Sequence, residues 1–493
     1  MIHLDGTSLT IESAARVIVN DEPAAPTDAA RERVEQCAAF VARIVRSGRR
    51  VYGVNTGFGK LSTEAVPLDR LGQLQYNLVR SHACGVGESL PDSVARAALL
   101  FRLNTLLRGH SGVRPIVIDH LATLLNAGVV PLIPRQGSMG SSGDLAPLAH
   151  LALLLIGEGE AVHRGRRLSG SELLSALGLA PLELAPKEGL ALINGTQVSL
   201  ATAFMAHQTA RRLWDHAVLI GAMALEAAGA HADPLDPRLH AHHEGQRRVA
   251  ERVRTGIADS RLIDTSADVQ DPYSLRCLPQ ILGACWESLA HVESVLAREM
   301  NAVTDNPLLF PETDDIRSGG NFHGASLALA SETLGVGIAE LGSASERRTA
   351  LLLNHDAVPA FLAHQPGLES GLMIAQYTAA SLVAENKVLS HPAAVDSIPT
   401  SGGKEDHNSL ASVASWKAYQ IAQNSEWILA IELLTVTQAL DFRDRAALSA
   451  QTGRVYDRVR AEIAPARDDR PLHRAIEAAR ALVRRGGLLD DIG

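Results

Sequence analysis

Aromatic residues are scarce in this chain: Phe, Tyr and Trp together make up 4% of its 493 residues. Sheets are rich in aromatic and β-branched side chains, so this scarcity argues against a fold built mainly from sheets. Alanine and leucine dominate instead, and hydrophobic residues reach 46%. This composition predicts a large buried core of helices packed through small side chains.

Cysteine is also rare, with four residues at positions 37, 84, 277 and 285 and no CxxC pair. That pattern argues against a disulfide framework or a zinc site and fits a reducing cytoplasm. The N-terminus lacks the features of a signal peptide. The longest apolar run, near residues 145–156, is too short to span a bilayer. We therefore expect a cytoplasmic location and no membrane partner.

A basic surface is missing as well. The net charge is −9 and the pI about 6.1, whereas a general nucleic-acid binder has a basic footprint. The arginines between Arg467 and Arg485 are interleaved with acids, which favours a solvated helix face. We expect no nucleic-acid partner.

Helical periodicity covers most of the chain and is interrupted by Gly-rich or polar loops. A short strand pair is predicted in residues 1–20, loops over 51–62, 134–143 and 232–275, and helices over 28–48, 68–80, 92–108, 115–127, 145–157, 195–231, 276–302, 323–352, 368–390, 408–440 and 470–486. Asp144 is positioned to cap the helix at 145–157. The prediction is a mainly α fold, in which a long central helical bundle (196–493) follows a smaller N-terminal α+β domain (1–195).

The segment Gly137–Asp144, GSMGSSGD, carries the most chemical information. It lacks the Lys-Ser/Thr ending of a P-loop and the spacing of a dinucleotide fingerprint. One interpretation is a flexible turn that enters a helix. The other is autocatalytic cyclisation, in which the amide nitrogen of Gly143 attacks the carbonyl carbon of Ser141 and Ser142 then loses its hydroxyl as water. The absence of a Cβ on glycine permits this close approach. Spacing alone does not separate the two interpretations.

The stretch GSMGSSGDLAPLAHLALLLIGEGE closely resembles the prosthetic-group segment of the histidine, phenylalanine and tyrosine ammonia-lyases. Further motifs stand in the family's order from about Val51 to about Leu440. The resemblance implies that Ser141-Ser142-Gly143 forms a 4-methylideneimidazol-5-one ring, an electrophile that activates an amine, and that no external cofactor is needed. The family usually has Ala at the first position. Ser141 is expected to be tolerated because only its carbonyl enters the ring.

Three motifs in the first half of the chain carry candidate site residues: VYGVNTGFG, LVRSHACGVGE and KEGLALINGTQ. By resemblance, Tyr52 is the general base that removes the β-proton, His82 faces the substrate side chain, and Asn194 hydrogen-bonds the ring or the substrate amine. Taken alone, the same residues would be interpreted as a packing tyrosine, a structural histidine and an Asn-Gly turn.

The motif VQDPYSLRCLPQ supplies three more candidates. By resemblance, Arg276 binds the substrate carboxylate, Tyr273 provides a second essential hydroxyl, and Gln270 is a polar neighbour. A guanidinium suits this role because its planar fork matches a carboxylate. Without the family context, Arg276 would more often belong to a surface ion pair.

Two later motifs, MNAVTDNPLLF with SGGNFHGASLA and HPAAVDSIPTSGGKEDHNS, complete the set. By resemblance, Phe322 lines the pocket near the ring and Glu405 lies near the reacting amine, whereas Asn306 is interpreted as structural. The acidic run around Glu405 is not expected to bind a metal, because adjacent side chains rarely point at one ion.

The implied reaction is elimination of ammonia from L-histidine to give trans-urocanate. Glu405 favours histidine because phenylalanine and tyrosine lyases commonly have Gln there, and only a carboxylate can pair with a cation and take a proton. The sequences Cys277-Leu278-Pro279 and Ser401-Gly402-Gly403-Lys404 resemble tyrosine lyases instead. A tyrosine or phenylalanine ammonia-lyase, an aromatic 2,3-aminomutase with the same ring, and a non-catalytic helical binding protein therefore stay open.

Members of this family are homotetramers whose active sites combine residues from three chains, and the resemblance implies the same assembly here. Long helices rich in small residues, at 195–231 and 408–440, suit packing between subunits, although such helices also form monomer cores. The expected partners are an amino-acid substrate and copies of the chain itself.

Overall fold

The computed structural model describes residues 1–57 and 66–489, and within these ranges the chain is mainly helical, as predicted. Of the loop predicted over 51–62, positions 58–62 lie outside the described residues. The helices, α1 to α17 in chain order, are Ile11–Val19, Asp28–Ser47, Leu71–His82, Asp92–Leu106, Pro115–Asn126, Leu145–Leu155, Gly170–Ala176, Glu188–Ile193, Gln197–Ala228, Glu244–Gly256, Tyr273–Arg276, Leu278–Glu299, Ala325–Leu352, Met373–Leu389, Ala411–Leu440, Ala450–Glu462 and His473–Arg485.

The strands are short and form small separate sheets. In chain order, β1 to β9 are Ile2–Leu4, Ala24–Pro26, Val86–Ser89, Val130–Pro131, Pro134–Gln136, Glu160–His163, Arg166–Ser169, Leu308–Phe310 and Asp315–Arg317. The sheet orders are β1-β2, β3-β5, β4-β6-β7 and β8-β9. The strand pair predicted within residues 1–20 is wrong in one respect, because the partner of β1 follows α1. The pairing is parallel, with Ile2 opposite Ala24, and a parallel pair needs a crossover, which α1 provides.

Helix α2 shows which local features of the sequence predict a helix. The hydroxyl of Thr27 accepts a hydrogen bond from the Ala30 amide at its start, and Gly48, in the left-handed conformation, ends it. Its periodicity predicts one apolar face, and the residues of that face are all buried: Val34, Cys37, Phe40, Val41 and Ile44. All of them except Val34 pack with Val51, Val54 and Leu309 into one core cluster. This packing fixes the chain just before the turn that carries Tyr52.

Six helices were not predicted: α1, α7, α8, α10, α11 and α16. Helix α10 lies inside the segment 232–275, which was expected to be loop-rich, and α16 follows residue 449. Both are mostly charged on their outer faces, but α10 buries Val249, Ala250 and Val253. Three apolar residues among eight polar ones and two glycines give a weak periodic signal in α10. In the described part of the chain, no helix combines the length and apolar character that crossing a membrane requires.

The chain divides into two compact units. The first comprises residues 1–205, 293–331 and 392–416, and it contains strands β1 to β9. The second comprises residues 206–292, 332–391 and the chain from 417 on, and its described residues are helices and connecting turns. The sequence predicts a boundary between two domains at residues 195 and 196. The compact units do not show which parts of the chain fold separately, so this boundary stays a prediction.

Candidate active site

A cavity of about 550 Å³ in the first unit brings together side chains that are far apart in the sequence. The predicted site residues that line it are Tyr52, His82, Ser142, Asn194, Phe322 and Glu405. They come from the turn after α2, the last residue of α3, the loop before α6, the end of α8, the turn before α13 and the segment before α15. The structure therefore places residues from five of the sequence motifs and the Gly/Ser-rich segment around one space.

The backbone around Ser142 is held against the segment that follows α8. Gly143 has φ +73° and forms a parallel bridge with Gly195, and the amide of Asp144 donates to the Gly195 carbonyl at 2.7 Å. The Asn194 side-chain amide donates to the Ser142 carbonyl, also at 2.7 Å. A Cβ on Gly143 would lie 2.3 Å from the Gly195 oxygen, so only glycine fits this close approach.

Asp144 does not cap α6, contrary to the sequence prediction. It occupies the N-cap position, but its buried carboxylate accepts hydrogen bonds from the amide and hydroxyl of Ser199, both at 2.7 Å, and from the hydroxyl of Ser138 at 3.1 Å. Ser199 lies in the first turn of α9, so the carboxylate caps that helix instead. Burial raises the pKa of Asp144, and the three donors oppose this effect.

Buried charges fix the position of Asn194, and the sequence analysis missed them. The fully buried guanidinium of Arg102 donates to the Asn194 carbonyl at 3.0 Å and to Gln197 Oε1 at 2.6 Å. Burial lowers the pKa of Arg102 to about 10, so it remains a cation at neutral pH. Lys187, just before α8, pairs with Asp305 at 2.7 Å, both fully buried. The available signal for Arg102 was a charged residue that directly follows the apolar run 97–101 in α4.

Glu405 contacts the predicted cyclising residue directly. Its Oε1 accepts a hydrogen bond from the Ser142 hydroxyl at 2.5 Å, and its Oε2 accepts one from the Thr400 hydroxyl at 2.6 Å. Sequence reasoning did not single out Thr400. The carboxylate is half-buried at the wall of the cavity, where it can take a proton from a group in that space.

His82 is oriented by the helix that it ends. Its Nδ1 lies 2.8 Å from the Leu78 carbonyl oxygen, which can only accept, so Nδ1 carries the hydrogen. Burial lowers the pKa of His82, while the Leu78 carbonyl and the charge of Glu405 act in the opposite direction. A neutral imidazole held in this way offers Nε2 as a hydrogen-bond acceptor.

Gln270, Tyr273 and Arg276 belong to the second unit, where they form a cluster of their own. Arg276 Nη1 donates to Gln270 Oε1 at 2.6 Å, and the guanidinium lies over the Tyr273 ring, 4.8 Å from its centre. Tyr273 is 70% exposed and the neighbouring Val269 is 95% exposed. Tyrosine and arginine are among the residue types enriched where protein–protein interfaces gain most of their binding energy.

The cavity has further walls that the sequence analysis did not assign. Leu74, Leu78, Leu145 and Leu190 line it, and so does Asn306, which was interpreted as structural. Leu74 lies two helical turns before His82 in α3, and Leu78 lies one turn before it. This spacing places all three side chains on one face of the helix, so it could have indicated the two leucines as cavity residues. Among residues 1–57 and 66–489, no group of three His, Cys, Asp or Glu side chains is arranged to hold a metal ion.

The chain has relatives among known proteins along nearly its whole length. The family model for the aromatic amino acid lyases matches residues 9–461. The histidine ammonia-lyase of Geobacillus thermodenitrificans (strain NG80-2) is 47% identical over 497 aligned residues, which cover 99% of this chain and 98% of the relative. The crystal structure of histidine ammonia-lyase from Trypanosoma cruzi is similar with a TM-score of 0.92 at 39% identity, covering 100% of this chain and 94% of that one. Tyrosine aminomutase from Streptomyces globisporus has a TM-score of 0.95 at 35% identity, covering 100% and 98%.

Proposed function

Because this chain belongs to the aromatic amino acid lyase family, we propose that it eliminates ammonia from L-histidine to give trans-urocanate. The observation that carries the proposal is the contact of Ser142, Asn194 and Glu405 at one cavity, with hydrogen bonds of 2.5 and 2.7 Å. A carboxylate, an amide donor and the cyclising triplet thus share the space that a small amino acid would occupy.

The residues of the triplet fit a 4-methylideneimidazol-5-one ring. Gly143 has no Cβ in a place where one would collide with Gly195, and the Ser142 hydroxyl, which cyclisation removes as water, faces a carboxylate that can assist proton transfer. Ser141 contributes only its carbonyl. The ring supplies an electrophile that turns the substrate amine into a leaving group.

The side chains around the triplet account for the rest of the chemistry. Tyr52 removes the β-proton, and Glu405 pairs with the substrate amine and exchanges a proton with it. Asn194 keeps the backbone of the triplet in place through its bond to the Ser142 carbonyl. His82 Nε2 accepts a hydrogen bond from the imidazole N–H of the substrate, because its Nδ1 is occupied by the Leu78 carbonyl. Phe322 forms part of the wall.

Two observations favour histidine over the aromatic alternatives. Glu405 stands where a carboxylate can pair with a cation, and the curated relatives at 44–48% identity are named histidine ammonia-lyases. The similarity to tyrosine aminomutase makes re-addition of the amine at Cβ the second candidate. The acceptor at His82 Nε2 would bond a phenol hydroxyl as well as an imidazole.

The cluster of the exposed Gln270 and Tyr273 with the half-buried Arg276 supports a homotetramer in which these residues complete the cavity of another subunit. Arg276 would bind the substrate carboxylate there, with Tyr273 and Gln270 beside it. Mixing Tyr52→Phe and Arg276→Gln proteins during refolding or co-expression tests this point. Shared sites predict that two inactive variants regain part of the activity in mixed oligomers, whereas sites built within one chain predict none.

The four free cysteines are consistent with a cytoplasmic location.

The reaction itself is tested by ultraviolet scans of the purified protein with L-histidine, L-tyrosine and L-phenylalanine separately. Urocanate, coumarate and cinnamate absorb at different wavelengths. A urocanate band with histidine alone supports the proposal. A coumarate or cinnamate band would instead identify tyrosine or phenylalanine as the substrate. If none appears, mass spectrometry of a peptide containing residues 141–143 decides between an uncyclised binding protein and an aminomutase, since only cyclisation removes two waters.

A further inference from the structure

The two oxygens of Glu405 are held by two different hydroxyls, and only one of these belongs to the cyclising triplet. Oε1 accepts from Ser142 at 2.5 Å and Oε2 accepts from Thr400 at 2.6 Å. We propose that Thr400 is a positioning residue, which holds the Glu405 carboxylate so that Oε1 faces the reacting amine. The inference rests on the proposed function, since it concerns the same site.

The backbone places the Thr400 hydroxyl beside this carboxylate. Thr400 and Glu405 form an antiparallel bridge, in which the Thr400 amide donates to the Glu405 carbonyl at 2.9 Å and the Glu405 amide to the Thr400 carbonyl at 3.4 Å. Between them, Ser401, Gly402 and Gly403 have φ values of 51°, 62° and 82°. Three successive left-handed residues reverse the chain, and glycine at two of them makes this possible.

A second brace holds the same loop. The Asn408 side-chain amide donates to the Ile398 carbonyl at 2.6 Å and to the Glu405 carbonyl at 3.3 Å. The backbone of Glu405 is therefore fixed from both sides, while its side chain still has several rotatable bonds. A half-buried glutamate with free torsions would lose conformational entropy on binding, and a hydroxyl on Oε2 removes most of that freedom beforehand.

The chemistry of cyclisation makes Thr400 more important after maturation than before. The Ser142 hydroxyl leaves as water when the ring forms, so the hydrogen bond to Oε1 is lost with it. The Thr400 hydroxyl is not consumed, and it remains on Oε2. Ring formation thereby frees Oε1, which faces the cavity, and leaves Oε2 hydrogen-bonded to Thr400. Among residues 1–57 and 66–489, the titratable side chains that share the cavity with Glu405 are Tyr52 and His82.

The test compares Thr400→Val, which removes the hydroxyl at nearly constant shape, with Thr400→Ser, which keeps it. A hydrogen bond to a charged group predicts a kcat about 10- to 100-fold lower in Thr400→Val, with KM changed less than about threefold. Thr400→Ser should recover most of the rate. Thr123→Val, which removes a hydroxyl that donates to the Asp119 carbonyl in α5, is the matched control.

Peptide mass over residues 141–143 gives a readout besides activity. We expect all three variants to lose two waters there, as the wild type does. An unchanged kcat in Thr400→Val would overturn the inference, and so would a failure of that variant to cyclise, which would assign Thr400 to maturation. If the wild type itself does not turn over L-histidine, the proposed function fails instead, and the two failures are thus distinguishable.

Discussion

Replacement of Gly143 by alanine tests how the fold brings the triplet into a reactive shape. Gly143 has φ +73°, and a Cβ there would lie 2.3 Å from the Gly195 oxygen and 2.6 Å from its carbonyl carbon. Because Cβ atoms essentially never come closer than 3.0 Å to another heavy atom, the two backbone segments must separate by roughly 0.7 Å or more. The Asn194 and Asp144 hydrogen bonds that join these segments, both 2.7 Å long, would be strained together.

The expected cost has two parts. An alanine in the left-handed conformation costs about 1–2 kcal/mol. Weakening two buried hydrogen bonds adds about 1 kcal/mol each, or more if a partner is left unsatisfied. The reactive arrangement of Gly143 then becomes less favourable by about 3–4 kcal/mol, and its population falls by at least about a hundredfold. We therefore predict that Gly143→Ala protein folds but does not cyclise.

Gly165→Ala is the matched control, because Gly165 has the same φ of 73° in the turn between β6 and β7, and no atom lies within 4 Å of the place where its Cβ would be. It isolates the cost of the positive φ, about 1–2 kcal/mol, from the collision. The assay is the mass of the 141–143 peptide together with urocanate production. Normal cyclisation in Gly143→Ala, or equal damage from Gly165→Ala, would refute the reasoning from close approach.

Two other predictions concern the base and a buried histidine. Tyr52→Phe should bind L-histidine normally in calorimetry but lose turnover about 10²- to 10⁴-fold, and near-normal rates would exclude Tyr52 as the base. Burial lowers the pKa of His216 to about 4 from its ordinary 6.5. The unfolded chain therefore binds the proton first, and stability that is present above pH 6.5 is lost as the pH falls towards 4. Between pH 7.5 and pH 5.0, the free energy of unfolding should fall by about 2 kcal/mol less in His216→Gln than in the wild type. The control His242→Gln, at an exposed histidine, should show the same fall as the wild type.

Helix positions could be predicted because they depend on residues close in sequence. The helix predicted over residues 28–48 is α2, and both its buried face and its Thr27 cap depend on residues within a few positions of each other. The same method overlooked α10, whose apolar stripe is narrow among charged residues. The candidate site was predicted through resemblance and not through periodicity. Tyr52, in a Gly-rich turn, would have been interpreted as a packing residue without it.

The sequence by itself determined the mainly helical fold, the family and the triplet with the residue types that its chemistry needs. Only the tertiary structure decided how these residues meet: that Ser142 and Glu405, 263 positions apart, share a hydrogen bond, that Asp144 caps α9 and not its own helix, and that Thr400 holds the second oxygen of Glu405. The physical reason is the distance along the sequence over which each interaction acts. Helical periodicity and capping act over a few residues, whereas these contacts join segments that only the packing of the whole first unit brings within about 3 Å of each other.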